Sequence, residues 1–499
     1  MATTETRFFK NFIGGEWMDA ASGETFESLS PATGESIGVF PKSGPEDVDR
    51  AVEAARAAFE EWRLVPAPRR GEILFRFGQL LAEHKEDLAQ LMAREMGKVL
   101  PEARGDVQEA IDMSFYMGGE GRRLFGHTTP SELPDKFNMS VRMPIGVVGV
   151  ITPWNFPIAI PSWKIAPALV CGNTVVFKPA TDTPLLGERF VELLGEAGVP
   201  AGVVNVVHGG GREVGERLVQ HPDAPVITLT GSRETGVAVL KAAADNLKHV
   251  HLELGGKNAI IVMEDADLDL ALDGIIWSAF GTSGQRCTAA SRVIVHRAVY
   301  DELQSRLVTA VERLRLGVGW EPDTDVGPVI NKAAIEKIHE YTQIGRDEGA
   351  KLLTGGEVAG DGELAKGFYY RPTVFADVEA GMRIAQEEIF GPTTALVPVD
   401  SYDEAIAAAN GVKYGLSSSI FTRDVNRAFR AMRDLQTGIT YVNAGTTGAE
   451  VHLPFGGTKD TGNGHREAGQ AALDVFTEWK SIYVDYSGKL QRAQIDNIE

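Results

Sequence analysis

The chain is poor in cysteine, in positive charge and in uninterrupted apolar segments. Only two of its 499 residues are cysteines, Cys171 and Cys287, and nothing in the sequence requires them to pair. The first seven residues have no apolar core and no cleavage-site pattern, so they do not resemble a secretion signal. We therefore expect a cytoplasmic protein, since a free thiol survives in that reducing compartment.

Positive charge is scarce: 49 lysines and arginines face 69 aspartates and glutamates, which gives a formal net charge of −20. Nucleic acid phosphates and anionic membrane surfaces would be repelled, and we expect neither as a partner. The segment 145–163 carries no charge and approaches the length that spans a membrane. However, Pro153, Pro157 and Pro161 interrupt it, so we predict a buried strand that runs into an irregular loop.

The order of the predicted elements indicates an α/β protein with more than one core. A chain of this length exceeds what a single core supports. Apolar residues recur at helical spacing near the N-terminus, and strands then alternate with helices in two successive series, which predicts two doubly wound parallel sheets with a boundary near Gly255–Gly256. The predicted helices are 45–62, 70–95, 100–118, 166–171, 185–197 and 215–220, and the strands are 147–151, 174–177, 203–207, 226–229, 259–262, 292–295, 351–353 and 395–399. The polar segment 124–143 is predicted to be a β-hairpin arm.

Cys287 lies in the segment Phe280–Thr288, whose small and polar residues suit a turn that exposes a side chain. A cysteine thiolate attacks carbonyl carbons. Upstream, Glu253 is a lone carboxylate in an apolar, glycine-rich segment, and the pair suggests covalent catalysis followed by proton abstraction. Two alternatives stay open: Cys287 as an inert buried thiol and Glu253 as the partner of a lysine. A cysteine hydrolase would need a histidine base, and no motif marks any of the ten histidines as one.

Asn155 lies between prolines in Thr152–Pro157. A rigidly held amide is a good donor to an oxyanion, although an asparagine in such a turn also commonly satisfies backbone groups.

Several segments are typical of a nucleotide site. Gly209–Gly215 and Thr230–Gly236 each follow a strand, where glycines let a backbone approach phosphate at a helix N-terminus. Their spacing does not match the usual dinucleotide fingerprint, and each alone is equally a plain strand–helix turn. Lys178 lies at the carboxyl end of a strand, where a doubly wound sheet binds ligands. In Gln386–Pro392, Glu387 or Glu388 would hold a ribose and Phe390 would pack on a nicotinamide, or the acidic pair is only solvated.

Taken together, these segments resemble the aldehyde dehydrogenase superfamily, in family order across nearly the whole chain. The motifs are Pro153–Pro157, Lys178–Ala180, Thr230–Ser232, Leu252–Lys257, Gly284–Cys287, Glu388–Pro392, Leu453–Gly457 and His465–Gly469. The resemblance implies an NAD(P)-binding domain formed by 1–123 and 144–254 and a catalytic domain formed by 255–455. It also implies an oligomerisation element formed by 124–143 and 456–499, in a homodimer or homotetramer.

The resemblance implies oxidation of an aldehyde, or a semialdehyde, to the acid through a thiohemiacetal and a thioester on Cys287, followed by hydrolysis. Asn155 and the Cys287 N–H would stabilise the oxyanion, Glu253 would activate water, and Lys164 would belong to a proton relay. No metal is expected. The implied residues for NAD or NADP are Ile151, Trp154, Lys178, Thr181, Gly211, Ser232, Leu254, Glu388 and Phe390. Cys171 is assigned to the core.

One departure from the family concerns the cofactor, because Thr181 stands where many NAD-preferring relatives carry glutamate. A carboxylate there would repel a 2′-phosphate, so we hypothesise that NADP is tolerated. The run Gly284–Thr288 is similar to relatives that act on semialdehydes, and Arg286 or Arg292 would anchor the substrate carboxylate. A coenzyme A-acylating enzyme and a non-catalytic structural protein of the same fold are the alternatives.

Overall fold

A computed structural model describes residues 7–495. Residues 1–6, in the segment that does not resemble a secretion signal, and residues 496–499, in the predicted oligomerisation element, lie outside the described chain. The strands are β1 (Asn11–Ile13), β2 (Glu16–Met18), β3 (Thr25–Leu29), β4 (Ser36–Pro41), β5 (His127–Pro130), β6 (Lys136–Pro144), β7 (Val147–Ile151), β8 (Thr174–Lys178), β9 (Val204–Val206), β10 (Val226–Thr230), β11 (His249–Glu253), β12 (Asn258–Val262), β13 (Ala290–His296), β14 (Lys351–Thr354), β15 (Thr373–Ala376), β16 (Thr393–Val399), β17 (Tyr414–Gly415), β18 (Ser417–Phe421), β19 (Ile439–Val442), β20 (Thr458–Lys459) and β21 (Thr477–Asp485). The helices are α1 (Pro45–Trp62), α2 (Ala67–Glu83), α3 (Lys85–Glu95), α4 (Leu100–Glu120), α5 (Ala159–Cys171), α6 (Pro184–Glu196), α7 (Glu216–Gln220), α8 (Arg233–Ala244), α9 (Leu268–Phe280), α10 (Arg297–Val311), α11 (Lys332–Asp347), α12 (Arg383–Gln386), α13 (Tyr402–Asn410) and α14 (Val425–Asp434).

The first seven-stranded sheet has the order β11-β10-β7-β8-β9-β1-β2. Its five strands from β11 to β9 are parallel, and β1 and β2 extend it in antiparallel orientation. The register pairs Ile151 with Lys178 and Thr230 with Glu253 at the last residues of these strands. Parallel strands therefore bring four residues from distant segments to one edge, where doubly wound sheets bind ligands.

The second seven-stranded sheet has the order β14-β15-β16-β13-β12-β18-β19. The predicted α/β fold with two parallel sheets is confirmed, with one correction at residues 351–353. The sequence placed this segment in the parallel series, but β14 pairs antiparallel with β15. Only a short 3₁₀ turn, Gly362–Lys366, lies between the two strands, and a parallel return normally needs a crossover helix.

The predicted arm at 124–143 is β5 and β6, and β21 pairs antiparallel with β6 to complete a three-stranded sheet. The helix expected at 70–95 is divided at His84 into α2 and α3.

The segment before Lys164 was predicted to be an irregular loop, and this is wrong from Ala159 onward, where α5 begins. Pro161 lies in the first turn, where a helix tolerates the missing N–H. Pro167 is accommodated inside a helix that is buried over nearly its whole length. Burial of apolar residues from every side therefore overrides the local preference against helix. Over residues 7–495, no helix combines the length and apolarity needed to cross a bilayer.

Candidate active site

The segment before Cys287 is a left-handed turn held from several sides. Thr282, Ser283 and Gly284 have φ values of 51°, 54° and 68°. Non-glycine residues in this region cost about 1–3 kcal/mol each, so neighbouring contacts must maintain the turn. The Glu102 carboxylate accepts hydrogen bonds from the Thr282 N–H and hydroxyl, both at 2.7 Å. A Cβ on Gly284 would come within 2.1 Å of the Gly391 carbonyl oxygen, so only glycine fits there.

Cys287 is partly exposed and lines a chamber of about 300 Å³. Burial raises the pKa of its thiol to about 12, and the carboxylates of Glu388, Glu253 and Glu467 add to the shift. The thiol is therefore protonated at neutral pH in the absence of ligands. The chamber wall is rich in aromatic rings, which are those of Phe156, Trp163, Trp277 and Phe455.

The Asn155 amide lies beside the nucleophile turn. Its Nδ2 donates to the Gln285 carbonyl at 2.9 Å, and Asn155 itself is buried. An amide nitrogen carries two hydrogens, so one remains for a ligand oxygen. The neighbouring Asn258 donates to the Cys287 carbonyl at 2.7 Å and fixes the backbone of the nucleophile.

Glu253 also lines the chamber, at the end of β11, and the structure thus brings Glu253 and Cys287 together. Its carboxylate is buried and neither oxygen has a hydrogen-bond partner within residues 7–495. Burial, followed by the nearby Glu467 carboxylate, raises the pKa of Glu253 well above its usual value. The carboxylate rests against Gly456, where a Cβ would come within 2.5 Å of Oε1. A buried carboxylate with a raised pKa and free oxygens is suited to accept a proton from water.

Lys164 projects from α5 into the same buried region, where its ammonium forms an ion pair with Glu467. Lys164 also donates to the Thr228 hydroxyl at 3.0 Å. Glu467 lies in a segment that pairs with Phe455. The sequence motif His465–Gly469 contains this glutamate, but only the fold shows that it is the partner of Lys164.

The carboxyl edge of the first sheet carries the predicted cofactor residues Ile151 and Lys178. The Lys178 ammonium is buried and donates to the Pro179 carbonyl at 3.0 Å. Burial lowers the pKa of Lys178 to about 8. Gly211 has open space around it, and Ser232 is the N-cap of α8, where its hydroxyl accepts from the Thr235 N–H.

The remaining predicted cofactor residues are Trp154, Thr181, Leu254, Glu388 and Phe390. Trp154 and Phe390 meet edge to face with ring centroids 5.6 Å apart, and Phe390 has a φ of 62°. The Glu388 carboxylate accepts from the Gly256 N–H at 2.9 Å. Leu254 is buried and donates its N–H to the Thr461 carbonyl at 2.7 Å. Thr181 is exposed in the turn after β8.

These residues fit a dinucleotide. Lys178 has donors to spare for ribose hydroxyls, α8 presents its N-terminus next to Ser232, and Gly211 leaves room for a ligand. Glu388 supplies acceptors for a second ribose, and Phe390 supplies an apolar face. Glu387, the alternative from sequence, is instead held by Arg383 and by Tyr341. In the described chain, histidine, cysteine and acidic side chains form no group of three that would hold a metal.

Of the two predicted anchors, only Arg286 lines the chamber. Arg292 is buried elsewhere and donates to the carbonyls of Lys257, Ala408 and Ala409. No histidine lies among the chamber-lining residues of the described chain, which leaves a cysteine hydrolase without its base. The sequence did not point to the chamber residues Glu102 and Glu109 of α4, which belong to no motif. It also did not point to His251, which lies two residues before Glu253 on β11.

The model of the aldehyde dehydrogenase family matches residues 17–482 of the chain. The alpha-ketoglutaric semialdehyde dehydrogenase of Bacillus subtilis is 42% identical over 96% of this chain and 99% of its own length. The alpha-ketoglutarate semialdehyde dehydrogenase of Haloferax volcanii is 43% identical, with the same shares covered. The crystal structure of betaine aldehyde dehydrogenase from Staphylococcus aureus in complex with NAD⁺ superimposes with a TM-score of 0.94, at 36% identity over 96% of this chain and 95% of that one.

The chain therefore belongs to the aldehyde dehydrogenase family. It is an enzyme that oxidises an aldehyde with NAD or NADP, so the family, reaction class and cofactor class predicted from the sequence are confirmed. The roles of individual residues stay predictions.

Proposed function

We propose that the chain oxidises a semialdehyde that carries a carboxylate, such as alpha-ketoglutarate semialdehyde, and that it releases the acid by hydrolysis. Arg286 supports this proposal most directly, since it is the one cationic side chain among the described residues that line the chamber next to Cys287. Two relatives of about the same similarity carry this substrate in their names.

The proposed reaction starts when the Cys287 thiol loses its proton to solvent and the resulting thiolate sulfur attacks the aldehyde carbon. The Asn155 amide and the Cys287 N–H then donate to the resulting oxyanion. Loss of hydride from this carbon to bound NAD or NADP would leave a thioester on Cys287. Glu253 next takes a proton from water, whose oxygen attacks the thioester carbon, and the carbon–sulfur bond breaks to free the acid and Cys287.

The guanidinium of Arg286 is positioned but not fully occupied. Its Nε donates to the Thr282 hydroxyl at 3.0 Å, and it stacks 4.4 Å above the Trp277 ring. A terminal nitrogen lies 3.4 Å from Glu102 Oε1. Five N–H donors exceed these contacts, so donors remain for a substrate carboxylate.

The acidic residues of the chamber are largely neutralised, which permits an anionic substrate. Glu102 accepts from Thr282 and faces Arg286, and Asp106 is paired with Lys98 at 2.8 Å. Burial and then the Asp106 carboxylate raise the pKa of Glu109 to about 8, so most of this group is uncharged near neutral pH.

A kinetic panel tests the substrate proposal. We expect kcat/KM to be highest for alpha-ketoglutarate semialdehyde, compared with unbranched pentanal and betaine aldehyde. Arg286→Gln should reduce the value for the semialdehyde by about 10- to 100-fold, the worth of a charge-assisted hydrogen bond, with little change for pentanal. Arg297→Gln, in an exposed pair with Asp400, is the matched control. A preference for betaine aldehyde, whose cation the aromatic wall would favour, would overturn the proposal.

We also propose the domain division and the assembly implied by the family. Residues 1–123 with 144–254 would form the cofactor domain, 255–455 the catalytic domain, and 124–143 with 456–499 the oligomerisation element. The two seven-stranded sheets and the three-stranded sheet are each formed by strands of one of these units, which supports this division. Exposed apolar side chains on the small sheet, such as Phe137 and Tyr483, support a homodimer or homotetramer, which light scattering would test. A cytoplasmic location is part of the same proposal.

A further inference from the structure

His251 is a buried histidine directly beside the proposed base. It stands two residues before Glu253 on β11, so both side chains project from the same face of the strand. The ring is 2% exposed, and its Nε2 lies 3.6 Å from Glu253 Oε1. Within residues 7–495, neither Nε2 nor either Glu253 oxygen has a hydrogen-bond partner.

The hydrogen-bond chain behind His251 determines which nitrogen carries the proton. The Lys164 ammonium can only donate, and it donates to the Thr228 hydroxyl at 3.0 Å. The Thr228 hydroxyl lies 2.9 Å from His251 Nδ1. Among the described contacts, Nδ1 is the one acceptor for the hydrogen of this hydroxyl. Nδ1 therefore accepts, and the proton of the neutral ring is on Nε2, facing Glu253.

The charges around the ring keep it neutral. The groups that face it are Lys164 from α5, Glu253 from its own strand, and His465, Arg466 and Glu467 from the segment after β20. Burial, followed by Lys164, lowers the pKa of His251 well below its usual value. A neutral Nε2–H donor cannot take the proton from Glu253, so His251 acts on the base as a donor.

From this geometry we infer that His251 is a positioning residue, whose Nε2–H donates a hydrogen bond to ionised Glu253 and holds that carboxylate ready to activate water. The two atoms need to approach by only about 0.6 Å to reach ordinary hydrogen-bond length. Catalytic hydrogen bonds commonly tighten when ligands bind. The inference rests on the proposed role of Glu253 as the base.

The bond should favour the charged form of Glu253 and offset part of the effect of burial. Loss of the donor would then raise the pKa of Glu253, and hydrolysis would fail at pH values where the wild-type base is still ionised. A hydrogen bond to a charged group is strong enough to displace the acidic limb of the pH profile by about one unit.

The test compares pH profiles of steady-state turnover and of the initial burst of reduced cofactor in the full-length enzyme. His251→Leu should move the acidic limb of turnover upward by about one unit and leave the burst in place. His251→Gln, whose amide can donate from the same position, should restore the limb. His249→Leu is the matched control, because His249 is on the same face of β11 but exposed and bonded to Glu478 at 2.9 Å.

An unchanged acidic limb in folded His251→Leu would overturn the inference, and so would a His251→Gln variant as impaired as His251→Leu. If His251→Leu does not fold, Thr228→Val takes its place. Without the Thr228 hydroxyl, the ring proton of His251 is free to move from Nε2 to Nδ1. The acidic limb of the turnover profile should therefore again move to higher pH, and an unchanged limb would equally refute the inference. Glu253→Gln separates the two proposals: if it hydrolyses normally, the role of Glu253 itself is wrong.

Discussion

The Glu388 carboxylate accepts a hydrogen bond from the Gly256 N–H at 2.9 Å, which places a negative charge near Cys287. After burial, Glu388 is the largest contributor to the raised pKa of the thiol. The contact is possible because Gly255 has no side chain, since a Cβ there would come within 2.2 Å of Glu388 Oε2. The residue proposed to hold a ribose therefore also suppresses the nucleophile in the ligand-free enzyme.

Glu388→Gln should make Cys287 more reactive. Removal of the charge lowers the pKa of the thiol, and each unit raises the alkylation rate about threefold, because the larger thiolate fraction is partly offset by weaker nucleophilicity. The rate of iodoacetamide labelling without cofactor measures this. It should also climb with pH throughout the neutral range, since the thiol pKa is about 12. Glu387→Gln is the control, because Arg383 holds that carboxylate. Equal labelling rates in the two variants would contradict the prediction.

Glu253→Gln should separate the two halves of the reaction. The amide cannot take a proton from water, so turnover should fall by about 10²- to 10⁴-fold, while one equivalent of reduced cofactor still forms. Rapid-mixing absorbance measurements follow both phases. Turnover of the wild-type enzyme that depends on added coenzyme A would instead identify the acylating alternative.

Asn155→Ala should reduce kcat by about 10²- to 10³-fold, the usual effect of removing one oxyanion donor. Because Asn155 also donates to the Gln285 carbonyl, thermal unfolding must show that the nucleophile turn is intact. Asn258→Ala removes a donor to the Cys287 carbonyl and should disturb the turn without removing the oxyanion contact. A folded Asn155→Ala enzyme with normal kcat would show that the amide has only a structural role.

Thr181→Glu should shift the cofactor preference toward NAD. Thr181 is exposed next to the Lys178 strand end, and a carboxylate there would repel the 2′-phosphate of NADP. We expect kcat/KM for NADP to fall at least about tenfold relative to NAD, equivalent to about 1.4 kcal/mol. Thr181→Gln controls for side-chain size. A wild-type preference for NAD of about a thousandfold would end the hypothesis that NADP is tolerated.

The sequence predicted those parts of the site that lie in short segments with a local signature. Strand ends and glycine turns predicted the positions of Lys178 and Ser232, and the segment around Cys287 predicted an exposing turn. It predicted only the second half of α5, from Ala166, and not the part that begins at Ala159, because burial from all sides stabilises a helix that contains Pro161 and Pro167. The surroundings of Glu253 could not be predicted, because Thr228 reaches His251 through the pairing of β10 with β11, and Glu467 comes from a segment near the far end of the chain.

The ion pair between Lys164 and Glu467 joins positions 303 residues apart. The backbone that pairs with Glu253 comes from the same late segment, through Gly462. A ribosome that has finished the nucleophile and the base has therefore not yet made a competent enzyme. Chains that stop before residue 461 lack Glu467 and also the core residues Leu473 and Phe476, so they should be inactive, and activity becomes a measure of complete synthesis.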